Sequence, residues 1–76
     1  MGEKFNGHAS WREWNVALWL SNDERLYRLA TSALHAFGFD RDVAARALLG
    51  SLPAKTPDGA PVTLRAVRLA LDGFDR

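Results

Sequence analysis

Hydrophobic positions recur at helical spacing along four stretches of this chain. They crowd most densely into Trp11–Leu20, WREWNVALWL, which holds all three tryptophans. Trp11, Trp14 and Leu18 share one helical face there, and Val16, Trp19 and Leu20 widen the apolar arc beyond a half-turn. Arg12, Glu13 and Asn15 interrupt it. An arc this broad predicts either a central helix touched from several sides or a helix that keeps part of its apolar surface for a partner. Ser10 and Glu13 form a capping box that starts this helix. Ser21 and Glu24 form a second box that starts the next, with Asp23 adding favourable charge near its amino end.

The second stretch carries Leu26, Leu29, Ala30, Ala33 and Phe37 as its packed stripe, Tyr27 at the stripe's edge, and Gly38 as a left-handed stop. Asp40 caps a third helix, with Phe39 placed to staple against Ala44, and Val43, Ala44, Ala47 and Leu48 as its face. Gly50 and Pro53 bracket its end. All three prolines fall in 53–61, PAKTPDGAP, where Pro57-Asp58-Gly59 signals a turn. That segment reads as an exposed loop without enough apolar mass to pack. Thr63 caps a fourth helix facing inward through Leu64, Val67, Ala70, Leu71 and Phe74, with Val62 placed to staple against Val67.

The expected fold is therefore all-α: a small four-helix domain with helices near 11–20, 22–36, 41–51 and 63–73. Its Trp-rich core is expected around Trp14, Leu18, Leu26, Leu29, Phe37, Val43, Leu48, Val67 and Leu71. Residues 1–10 hold no period and read as an ordered or partly ordered arm whose Phe5 plugs one end of that core; the functional alternative is a recognition arm using His8.

Composition narrows the function classes. At 76 residues the chain supplies one core and one domain. It has no cysteine, which removes disulfides, thiolate metal sites and thiol nucleophiles and suits a reducing cytoplasm. Ten basic residues against nine acidic ones give no strong nucleic-acid footprint. No apolar run reaches the length of a membrane span, and none follows Glu3 and Lys4 as a signal peptide would require. The expected location is the cytoplasm.

Candidate chemistry is sparse. His8 and His35 are the only histidines, no HExxH spacing occurs, and the six glycines are scattered among the arm, helix ends and turns. The residues suggest no catalytic set, no cofactor and no metal, and a protein that is not an enzyme; His35 reads as a helix-end residue facing the last carbonyls. Arg41 and Arg46 on the third helix, Lys55 in the loop, and Arg65 and Arg68 on the fourth helix suggest a basic side for DNA or RNA, diluted by Asp40, Asp42 and Asp72. The loop before the fourth helix is also longer than a helix-turn-helix connection. Protein binding asks less of the sequence, since aromatic and arginine side chains make the best interface anchors. The candidate partner-binding residues are Trp11, Trp19, Tyr27, Arg28, Arg65 and Arg68.

Phe5-Asn6-Gly7, Trp14-Asn15-Val16-Ala17-Leu18-Trp19-Leu20 and Asn22-Asp23-Glu24-Arg25-Leu26-Tyr27 together resemble a family of small uncharacterised bacteriophage and mobile-element proteins. That family has an aromatic-Asn-Gly start, an aromatic-rich helix ending in Leu-Trp-Ile/Leu, and an Asn-Asp-Glu turn. Pro57-Asp58-Gly59 and the helix after it are similar less distinctively. The chain differs in having His8 where Trp is usual and Trp11 where Tyr is usual. The resemblance implies a host-takeover or anti-defence role, such as inhibition of a CRISPR effector complex, inside a bacterial host cell. It implies a host protein or ribonucleoprotein complex as partner and transfers no catalytic residue.

Overall fold

The computed structural model describes residues 10–74. The expected arm, with Phe5 and His8, lies outside the described residues apart from Ser10. Four helices follow: α1 Trp11–Asn22, α2 Glu24–Ala36, α3 Arg41–Leu49 and α4 Leu64–Leu71. α1 packs on α2, α2 on α3, α3 on α4, and α4 back on α1, so the helices close a ring in chain order. No regular strand occurs among the described residues, where one isolated antiparallel bridge joins Lys55 to Pro61. No helix among them is long and apolar enough to cross a membrane.

Short polar side chains start each helix by accepting otherwise unpaired amides. Ser10 accepts from the Glu13 N–H at 3.3 Å, and Thr63 accepts from Ala66 at 3.1 Å. Asp40 Oδ1 accepts from Asp42 and Val43 at 3.1 and 3.2 Å. The boundary between α1 and α2 departs from the expected Ser21–Glu24 box. α1 continues to Asn22, the Ser21 hydroxyl donates to the Leu18 carbonyl, and Asp23 caps α2 by accepting from Arg25 and Leu26 at 3.0 and 3.1 Å. An ionised carboxylate makes the stronger hydrogen bond to these amides, and Asp23 wins the position.

α2 ends as Gly38 suggests. Gly38 has φ +62°, its N–H donates to His35 at 3.3 Å, and the Phe39 N–H donates to Leu34 at 2.7 Å, which is the paired bonding of a Schellman motif. Phe39 itself has φ +66°, a conformation uncommon for a side chain of its size. Its ring is half-buried against the core and meets the His35 ring edge-on at 4.9 Å.

The inward faces differ from the expected ones, and α1 differs most. Its buried side is Val16 and Leu20 with Ala17 alongside, about half a turn from the Trp11/Trp14/Leu18 face. Trp11 and Leu18 are 40% and 37% exposed, and Trp14 and Trp19 are half-buried. No tryptophan belongs to the core. On α2 the buried positions are Ala30 and Leu34, with Leu26 partly buried and Leu29 and Phe37 exposed; on α3 they are Ala44, Ala45 and Leu48, with Val43 exposed. On α4 Ala66 joins Val67, Ala70 and Leu71, whereas Leu64 is exposed. The core is thus small side chains between six fully buried aliphatics, closed at one end by Phe74. Alanines let helix backbones approach closely, and an indole on α1's inner side would hold them apart.

Most of the 53–61 segment is exposed, but two of its residues pack. Thr56 and Ala60 are buried, and Leu52 and Val62 lean on the core. The Val62 N–H donates to Ala54 at 2.8 Å, the Thr56 N–H to Ala60 at 2.9 Å, and the Gly59 N–H to Thr56 at 2.9 Å. Pro57 and Asp58 form the turn and Gly59, at φ +92°, completes a three-residue hairpin loop.

Leu20→Ala should cost about 2–5 kcal/mol, since Leu20 is fully buried, while Leu18→Ala should stay within about 0.5 kcal/mol. Urea denaturation of both variants checks this; the opposite order would return Trp11, Trp14 and Leu18 to the core face.

Candidate interaction surface

Two polar side chains bring α1 and the hairpin together. Asn15 sits in the middle of α1 and is only 4% exposed; Thr56 is 5% exposed. The Thr56 hydroxyl donates to Asn15 Oδ1 at 2.6 Å and accepts from the Ala60 N–H at 3.1 Å, and Asn15 Nδ2 donates to Asp58 Oδ2 at 3.0 Å. Every buried side-chain polar atom among the described residues has a partner. This clasp holds Pro57 beside Trp19. Trp19, Asp23 and Pro57 then form the wall common to two surface grooves. One, about 310 Å³, continues past Leu18 and Asp58. The other, about 490 Å³, continues past Leu26, Leu29 and Pro53 to Arg25. The Asp23 carboxylate is engaged as the α2 cap, whereas Arg25 makes no ion pair among the described residues.

The other expected partner-binding residues are dispersed. Trp11 lies on the outer face at the start of α1. Tyr27 is exposed and stacks on Phe74, ring centres 5.2 Å apart and planes 25° apart. Arg28 pairs with Glu24 one turn earlier on α2. Arg65 Nε donates to Glu13 Oε2 at 2.8 Å, tying α4 to α1. Arg68 donates to Asp42 at 2.7 Å and to Asp72 at 2.5 Å, tying α4 to α3. Arg41 Nε reaches the Leu71 carbonyl at 3.4 Å and Asp72 at 3.6 Å. Of the four arginines expected to meet nucleic acid, Arg41, Arg65 and Arg68 therefore already face carboxylates, and Arg46 faces none among the described residues.

Hydrogen bonds to Asp72 first, and to Asp42 second, raise the Arg68 pKa above its ordinary value. A raised folded-state pKa contributes stability that is complete below the unfolded-state pKa and lost only as pH rises through the folded one. That window is strongly alkaline, so this pairing adds no pH dependence near neutrality. Among the described residues no three His, Cys, Asp or Glu side chains gather to hold a metal ion.

Sequence reasoning missed Asn15, Arg25, Leu29 and Pro57. Asn15 reads as an interruption of an apolar arc; its partners lie 41 and 43 residues away, with no local signal for the pairing. Arg25 and Leu29 became visible as groove residues only once the inward side of α2 was known.

A family model matches residues 1–60, and the chain belongs to that family, DUF7249, a family of unknown function. The match contains Asn15, Thr56, Asp58 and the Trp19 grooves, and stops before α4. No curated protein and no solved structure matches the chain.

Asn15→Ala should cost about 1–3 kcal/mol because it leaves the buried Thr56 hydroxyl without its acceptor. Adding Thr56→Val should cost less than the sum of the two single changes. Chemical denaturation of the four-protein cycle measures this coupling, and strict additivity would show that the clasp does not act as a unit.

Proposed function

We propose that this DUF7249-family protein is a non-catalytic protein-interaction module that docks through the Trp19 grooves onto a bacterial host protein or ribonucleoprotein. The observation that carries this reading is the pairing of Trp19 with Arg25 in one groove. A broad aromatic surface provides affinity there, and a guanidinium that makes no ion pair among the described residues provides orientation. Exposed Leu18 and Leu29 extend the apolar area on either side of Trp19. The complementary partner surface is apolar with a carboxylate opposite Arg25.

The resemblance to bacteriophage and mobile-element proteins supplies the setting. The protein acts in the bacterial cytoplasm as a stoichiometric inhibitor or modulator of a defence system, such as a CRISPR effector complex, by covering a working surface. The sequence suggests an interface of one exposed aromatic, from Trp11, Trp19 or Tyr27, with an arginine of α2 or α4; we take Trp19 with Arg25, because the charge of Arg28 is matched by Glu24.

The target is captured from host lysate, identified by mass spectrometry, and titrated calorimetrically beside an assay of its activity. Arg25→Glu and Leu29→Asp, each with native circular dichroism, should weaken binding at least tenfold, about 1.4 kcal/mol or more. Arg28→Glu should bind as wild type does. Loss of activity should saturate near one copy per target. Wild-type affinity in both groove variants would remove the Trp19 surface from the interface, and inhibition far below one copy per target would replace occlusion with turnover.

A further inference from the structure

A second cleft lies between α3 and α4, away from the Trp19 grooves. It is about 260 Å³ and is lined by Ala45 and Leu64 and by Arg46, Arg65, Arg68 and Asp42. Ala45 is fully buried and forms apolar floor; Leu64, the first residue of α4, is 39% exposed. The rim is cationic. Its one carboxylate, Asp42, is engaged by Arg68, Arg65 is tied to Glu13 through Nε with its side chain largely exposed, and Arg46 makes no ion pair among the described residues.

We infer that this cleft is a distinct docking site for a peptide segment of a partner protein that carries an acidic side chain next to an aliphatic one. The carboxylate lies between Arg46 and Arg65, where guanidinium forks match its geometry, and the aliphatic group covers Leu64 and the Ala45 floor. The apolar floor beneath a two-arginine rim is what selects such a segment. A nucleic-acid backbone fits less well: it brings repeated phosphates where the cleft offers one cationic position between Arg46 and Arg65, and its sugars leave Leu64 without apolar cover. The site does not depend on the Trp19 reading, because it shares no lining residue with those grooves.

The test is selection of a displayed library of random short peptides on the purified protein, followed by anisotropy measurements on the enriched sequences. Enriched peptides are expected to carry Asp or Glu beside Leu, Ile, Val or Met. Their affinity should fall about tenfold or more with Arg46→Glu, less with Arg46→Gln, and also with Leu64→Gln. Circular dichroism confirms that each variant is folded; Arg28→Glu, exposed on α2 and lining neither cleft, serves as the variant that leaves this binding unchanged, and Arg25→Glu is measured beside it to report on the Trp19 grooves. Four outcomes overturn the proposal: no enrichment, enrichment without acidic residues, binding that survives both Arg46→Glu and Leu64→Gln, or binding that falls only with Arg25→Glu. A thymidine oligonucleotide that binds more tightly than the peptides and is lost with Arg46→Glu also overturns it, assigning the cleft to nucleic acid.

Discussion

Burying an amide in the middle of a helix is tolerable only if another part of the chain satisfies it. Asn15 imposes that constraint on α1, and the Thr56–Ala60 hairpin meets it. The dependence is mutual, because the buried Thr56 hydroxyl and Ala60 N–H are joined in the same chain of bonds. The hairpin leads within a few residues to the Thr63 cap and α4, so the clasp that fixes the loop against α1 also delivers α4 to α1. It places Pro57 beside Trp19 as well, and so shapes both grooves there.

The remainder of the core follows from close approach. α3 and α4 have nine and eight residues, too short to be stable alone, so their helicity rests on packing. Ala44, Ala45, Ala66 and Ala70 allow the two backbones to come together, and Leu48, Val67 and Leu71 fill the space between. Large rings are displaced to the periphery. Phe74 closes one end beneath Tyr27, Phe39 covers the α2–α3 turn, and Trp19 lines the grooves. The aromatic surface is a consequence of an alanine-rich interior.

Charge organisation follows the same geometry. Arg65–Glu13 and Arg68–Asp42 each join α4 to a neighbour, and Arg41 approaches the carbonyl end of α4, where a cation is favourable. Exposed pairs of this kind contribute little to stability, because solvent screens them. Their larger effect is on recognition. They neutralise most of the arginines in the expected basic side and leave Arg25 and Arg46 at two different clefts. An interface at the Trp19 grooves combines apolar contact with Arg25, and one at the α3–α4 cleft combines it with Arg46 and the exposed end of Arg65, combinations suited to protein surfaces.

The sequence by itself determined what depends on neighbours within a turn or two. Four helical periods, the caps at Ser10, Asp40 and Thr63, the left-handed stop at Gly38 and the turn at Pro57-Asp58-Gly59 are all written locally, in short-range hydrogen bonding and backbone sterics. Even the choice of Asp23 over Ser21 as the α2 cap concerns residues two positions apart. The tertiary structure decided which side of each helix faces inward. On α1 the apolar arc was too broad to have a unique inner side, and large rings outweighed Val16 and Leu20 in any reading by hydrophobicity alone. Ala30, Ala45 and Ala66 carry little signal as core residues, because their value is the approach they permit and not the area they bury. The Asn15–Thr56 bond spans 41 residues, and no spacing rule reaches that far; only packed helices bring its two ends together.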